Sequence, residues 1–161
     1  MPTVFFFCGM PTAGKTTLAK QLEEQYSAKR FTLDERMIAK TDYSIHNDEY
    51  GVLVAAEKSL IWEEAKPILE NGQDVICDWS LWSRSARAEW TGRVLDAGYS
   101  YKLYFLKAPL ELLKARTTAR NADKTVVAHH IEHAELERFW HIFEPPKGIE
   151  RIEFETILVS G

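Results

Sequence analysis

The sequence predicts an α/β fold, a doubly wound parallel sheet with helices on both faces. Three observations carry that expectation. Short apolar runs alternate with helical patterns along the whole chain, as in repeated strand–helix units. The first run, "TVFFFC", lacks the every-other-residue polarity of a half-exposed strand, as expected of one covered on both sides. At 161 residues, 45% of them apolar, the chain can bury one domain-sized core.

Each element follows in order. Thr3–Cys8 is expected as the first strand and Lys15–Tyr26 as the first helix, with Leu18, Leu22 and Tyr26 on its inner face at i, i+4, i+8. Arg30–Leu33 reads as a short second strand, after which Asp34 can cap a helix over "ERMIAK". Gly51–Glu70 reads as a long helix with Leu53, Ala56, Leu60, Ile68 and Leu69 near one stripe, kinked at Pro67 and ended by Asn71-Gly72. Asp74–Cys77 is the third strand, Ser83–Ala97 a helix, and Tyr101–Leu106 the fourth strand. Pro109–Asn121 opens as a helix with proline in its first turn. A polar break at Asn121–Thr125 separates it from a helix over Ala128–Phe143, stopped by Pro145-Pro146, and Ile152–Val159 is the last strand. Right-handed crossovers between strands so spaced make the sheet parallel and put ligands at the strands' carboxyl ends.

Bulk properties narrow the function. A net charge of −4 offers no general attraction to nucleic acid or anionic lipid. The apolar runs are too short to span a bilayer, and no basic segment followed by a long apolar run suggests a secretory signal. Cys8 and Cys77 sit in strand-like runs, as two buried thiols of a reducing cytoplasm would. The expectation is a cytoplasmic enzyme or binding protein whose size suits a monomer or weak dimer.

The segment Gly9-Met10-Pro11-Thr12-Ala13-Gly14-Lys15-Thr16, followed by Thr17, fits G-x-x-x-x-G-K-[ST] without a mismatch, between a buried strand and an amphipathic helix. Glycines let backbone amides approach phosphate oxygens. Successive N–H groups then form an anion nest backed by the helix dipole. Lys15 is expected to reach the β- and γ-phosphates of ATP or GTP, and the Thr16 hydroxyl to ligate Mg²⁺.

With "FTLDERM", "VICDWSLWSR" and "LLKARTTARN", the motif order over residues 3–121 resembles the small P-loop kinases and phosphotransferases. That group includes polynucleotide 5′-hydroxyl kinases, chloramphenicol phosphotransferase, gluconate kinases and zeta-type toxins. The later "FEPPKGIE" is similar to a branch of AAA-type kinases without an assigned substrate. The resemblance implies a P-loop NTPase-like three-layer sandwich with strand order 2-3-1-4-5, one domain over residues 1–161 and a helical lid at about 112–130. It implies that Asp34 faces the acceptor hydroxyl, that Arg116 binds nucleotide and that Arg120 stabilises the transferring phosphoryl group. Asp34 is equally suited to capping a helix, and Arg116 and Arg120, four apart, to a solvated face. Asp78, at the end of the third strand, can serve Mg²⁺ or the acceptor, two roles that the sequence leaves open.

Acceptor chemistry is expected from Tyr43–Tyr50 and the Trp79–Arg87 segment, with Arg36, Trp82 and Arg87 as candidate contacts. Trp79, Trp82 and Trp90 serve equally well as core packing. His129, Glu132 and His133 match the H-x-x-E-H spacing of a zinc site, for which a solvated helical face is the plainer reading. The expected activity is ATP- and Mg²⁺-dependent transfer to a hydroxyl of a small molecule. A polynucleotide 5′-hydroxyl kinase is the alternative, weakened because Met37 stands where those enzymes carry an arginine. An ATP-binding regulatory module without transfer is the reading from another class.

Overall fold

In the computed structural model, which describes residues 1–40, 49–125 and 130–160, strand and helix alternate from the first residues onward. The elements are β1 (Thr3–Gly9), α1 (Lys15–Tyr26), β2 (Lys29–Thr32), α2 (Leu33–Lys40) and α3 (Tyr50–Glu70). They continue as β3 (Val75–Ser80), α4 (Arg84–Asp96), β4 (Ser100–Lys107), α5 (Leu110–Ala122), α6 (His133–Ile142) and β5 (Glu155–Leu158). The five strands form one parallel sheet in the order β2-β3-β1-β4-β5.

The continuous apolar character of β1 has a direct cause. Val4, Phe6 and Cys8 enter the core beneath α2, α3 and α4, while Phe5 and Phe7 enter the one beneath α1, α5 and α6. A central strand in a three-layer sandwich has no solvent face to encode. β1 runs in register with β4 from Thr3 opposite Ser100 to Gly9 opposite Leu106. A Cβ on Gly9 would stand 3.1 Å from the Leu106 carbonyl oxygen, so the strand can end in this tight approach with glycine.

Several expectations shift. The inner face of α3 carries Glu57, Ile61, Ala65 and Leu69 at i, i+4 spacing together with Trp62, whereas Ala56 and Leu60 are exposed. The true stripe is hidden in the sequence by a carboxylate. Glu57 is 5% exposed yet neutralised by Arg36 at 2.5 Å and Lys40 at 3.0 Å, both from α2. The helix continues through Pro67 without interruption. Tyr26 is more exposed than expected, its ring resting against Phe5 at the sheet end. β3 does not stop before Asp78 but runs to Ser80, so this acid stands within the strand. Asp34 lies in the first turn of α2 rather than ahead of it.

The helix expected from Ala128 begins at His133, where Glu132 and Glu135 form a reciprocal capping box. His130, Ile131 and Glu132 are therefore not helical, and Ala128 and His129 lie outside the described residues. Among the described residues no cluster of His, Cys, Asp and Glu is arranged to hold a metal ion. No described helix is long and apolar enough to cross a membrane.

Candidate active site

The loop between β1 and α1 crosses the carboxyl end of the sheet. Its shape needs unusual backbone angles: Gly14 has φ +105° and Thr12 φ +66°, both in the left-handed region. The Thr12 strain is held from outside. Its hydroxyl meets the Leu113 carbonyl at 3.2 Å and the Thr117 hydroxyl at 3.3 Å, and its own carbonyl accepts from Arg116 Nη1 at 3.3 Å. The start of the loop is fixed with similar care. Gly9 donates its N–H to Ser80 Oγ at 3.1 Å, and its carbonyl accepts from Ser80 Oγ at 2.8 Å and Trp82 Nε1 at 3.1 Å. The loop is thus braced by β3 on one side and α5 on the other, and no side chain caps the start of α1.

Lys15 rises from the start of α1 and donates to the Met10 carbonyl at 2.8 Å and the Gly9 carbonyl at 3.3 Å. Desolvation lowers its pKa to about 8, with Arg120 adding to the effect and the Asp78 and Asp34 carboxylates opposing it. Asp78, 5% exposed, accepts from Thr16 Oγ1 at 2.8 Å and Thr32 Oγ1 at 3.1 Å. Burial raises its pKa, against the pull of Thr16, Lys15 and Thr32. Arg120 is also desolvated, which lowers its pKa, while Asp34 works the other way. Among the described residues the buried Arg120 Nε has no hydrogen-bond partner. The guanidinium itself reaches the cleft wall, where Arg120 is one of the lining residues.

Thr12, Ala13, Gly14, Lys15, Thr16, Thr17, Asp34, Asp78, Trp82, Arg116 and Arg120 line a single cleft of about 1300 Å³, together with Pro11. Gly9 and the buried Met10, expected to bind nucleotide, do not line it; they act through their carbonyls, which accept from Lys15 Nζ. Two expected acceptor contacts also lie outside. Arg87 is fully buried, clamped by Glu150 at 2.6 and 2.9 Å, and donates to the Leu81 carbonyl at 3.0 Å. It cannot meet a substrate because it neutralises a carboxylate in the interior. Arg36 turns to α3, where Glu57 and Glu64 take its guanidinium at 2.5 Å each. Of the expected Tyr43–Tyr50 contacts, Tyr50 lines the cleft, and 43–48 lie outside the described residues.

The sequence reading missed Thr32 and Ser80. Both are strand-end hydroxyls beside a motif, and only their neighbours in the sheet give them a role. The donor set fits Mg²⁺: one hydroxyl and one buried carboxylate, both hard oxygens, are as many protein ligands as this ion commonly takes beside phosphates.

A family model described as an AAA domain matches residues 4–146. The chain belongs to that family. Solved structures share its fold across nearly the whole length. A candidate kinase of Chloroflexus aurantiacus is 20% identical with a TM-score of 0.75, covering 98% of this chain and 85% of that one. Chaetomium thermophilum Kti12, in complex with ADP-AlF3, is 16% identical with a TM-score of 0.72, covering 99% and 89%. A gluconokinase from Sinorhizobium meliloti is 15% identical with a TM-score of 0.64, covering 99% and 83%. No curated protein matches. This member of the AAA-domain family therefore has the fold of the P-loop kinases, with its nucleotide loop and sheet order intact.

Proposed function

We propose that this protein is a kinase that moves the γ-phosphoryl group of ATP to a hydroxyl of a small molecule. The observation that carries the reading is convergence: the loop amides, Lys15, Arg120, Asp34 and Asp78 all border one cleft at the carboxyl end of the sheet. The nest and Lys15 bind the triphosphate, and Arg116 steadies the loop from α5. Arg120 donates to the equatorial oxygens as charge develops there, the step where a preorganised cation lowers the barrier most. Asp34 orients the acceptor hydroxyl. As its oxygen bonds to the γ-phosphorus, the bond to the ADP oxygen breaks and the hydroxyl proton passes to the Asp34 carboxylate. Thr16 and Asp78 would hold Mg²⁺, which when bound offsets charge on the β- and γ-oxygens. The kinase names among the structural neighbours support the same class, and the ADP-AlF3 complex of Kti12 supports a nucleotide in this loop.

The test is ATP consumption with labelled nucleotide across a panel of sugars, polyols, hydroxy acids, nucleosides and oligonucleotides. Consumption should depend on an acceptor, and label should appear on it. In Asp34→Asn, kcat should fall by about 10²–10⁴, with a smaller change in KM for ATP. Acceptor-independent hydrolysis as the sole activity would overturn the proposal.

A further inference from the structure

The stretch "FEPPKGIE", Phe143–Glu150, follows α6 and none of its residues lines the cleft, yet it grips the segment after β3 from both of its ends. At the first end the Phe143 ring stands 6.3 Å from the Trp82 ring, edge to face, and the Glu144 N–H donates to the Trp82 carbonyl at 3.0 Å. At the second end the Glu150 N–H turns back to the Lys147 carbonyl at 3.0 Å, and the carboxylate meets the fully buried Arg87. Arg87 in turn donates to the Leu81 carbonyl at 3.0 Å. Residues 81–87 are therefore held from behind, and Pro146, between the two grips in sequence, is itself buried.

The front of the held segment touches the phosphate loop. Trp82 Nε1–H donates to the Gly9 carbonyl at 3.1 Å, and Ser80 Oγ donates to the same oxygen at 2.8 Å. Lys15 Nζ is a third donor there at 3.3 Å, the longest of the three contacts. A carbonyl oxygen has two lone pairs. Ser80 and Trp82 fill them, so the ammonium can leave the buried Gly9 without stranding its oxygen. Without the indole N–H, Lys15 becomes the second donor to Gly9 and has to break that bond to reach a phosphate. The direction of the indole N–H is set by its ring, which meets Phe139 of α6 at 5.1 Å as well as Phe143.

We infer that Trp82 is a positioning residue for nucleotide binding, and that the Phe143–Glu150 segment is the buttress that aims it. Trp82 holds the Gly9 carbonyl in place of Lys15, and the buttress keeps the indole turned toward that carbonyl. This rests on the triphosphate part of the kinase reading and on no property of the acceptor. The indole N–H, engaged by Gly9, is not available to an acceptor, so the part Trp82 plays through it belongs to the nucleotide side of the site.

The experiment measures the affinity of a non-hydrolysable ATP analogue with Mg²⁺ for the full-length protein, Trp82→Phe, Phe143→Leu and the double variant. Trp82→Phe keeps an aromatic ring but loses the donor, and should weaken binding about fivefold. Phe143→Leu changes no residue of the cleft wall and should weaken binding about threefold by freeing the indole. In the double variant the Phe143→Leu effect should disappear, because the donor it aims is already gone. Thermal melting reports the fold of each variant, and a merely structural role would lower the melting temperature while leaving affinity unchanged. Equal affinity in wild type and Trp82→Phe would overturn the positioning role, and additive losses in the double variant would overturn the buttress. Should Trp82→Phe not fold, unchanged affinity in Phe143→Leu overturns the inference by itself. No binding to the wild type would overturn the triphosphate reading and the inference together, whereas binding that the variants leave unchanged would overturn the inference alone.

Discussion

Thr16 Oγ1 donates to Asp78 Oδ2 across 2.8 Å, joining the last residue of the nucleotide motif to the middle of the sheet. This contact makes one oxygen pair out of two elements that are 62 residues apart. On the proposed reading, in which Thr16 holds magnesium, the contact favours the metal over the acceptor for Asp78, because its carboxylate is bonded to that hydroxyl. Asp78→Asn should lower turnover by about 10²-fold or more and raise the magnesium concentration needed for half-maximal rate. Magnesium titrations of wild type, Asp78→Asn and Thr16→Ala check this, and an unchanged magnesium dependence in both variants would remove the assignment. Burial raises the Asp78 pKa, so the acid limb of the rate profile should begin at higher pH than for an ordinary carboxylate.

Lys15 gives a second pH effect of opposite origin. Its pKa of about 8 in the free protein is below the ordinary lysine value because the charged form is desolvated. The sign for folding is that this penalty applies in full below about 8 and is relieved as pH rises toward the unfolded lysine value. For binding the sign reverses, since a triphosphate favours the ammonium. ATP binding above pH 8 should therefore take up a proton and weaken with rising pH. Calorimetry in buffers of different ionisation enthalpy measures that uptake, which should disappear in Lys15→Ala.

The two arginines of α5 should separate in kinetics. Arg120→Ala should reduce kcat by about 10³-fold with a modest rise in KM for ATP, if its guanidinium serves the transition state as proposed. Arg116→Ala should act mainly on nucleotide affinity, since Arg116 steadies the Thr12 carbonyl and with it the loop. Equal losses of kcat from both would show that α5 acts as one unit instead.

Stability should depend on a pair outside the cleft. Glu150→Gln leaves the fully buried Arg87 without its counter-charge and should cost about 3–5 kcal/mol in denaturant unfolding. The Arg87 hydrogen bond holds the Glu150 pKa below the ordinary carboxylate range. Its contribution is thus complete above the unfolded carboxylate pKa and is lost as pH falls through the lower folded value. The loss should be seen as an acid-side fall in melting temperature that Glu150→Gln lacks.

The phosphate side of the site was legible because its chemistry is local in sequence. Gly9 to Thr16 stand together in one loop, and the continuous apolar run before them follows from a strand covered on both faces. The strand order came only with the resemblance, and the sheet bears it out. Long-range pairings were not legible. Arg36 and Arg87 read as cations available to a substrate, because nothing in the sequence tells that Glu57 and Glu150 fold against them. The same blindness placed the α3 stripe wrongly, since a neutralised carboxylate on an inner face breaks the hydrophobic pattern. Ser80, which clasps Gly9 from β3, carries no signal beyond following a strand.

β5 and Glu150 both lie past residue 146, where the family match ends, yet Ile157 and Val159 wall the cleft and Glu150 neutralises the buried Arg87. The segment after residue 146 is therefore part of the fold and no dispensable appendage. Grafting this segment of one homologue onto another would transplant part of the cleft wall along with it. Relatives that share an identical phosphate motif have in this segment a place to reshape the cleft without altering a single motif residue.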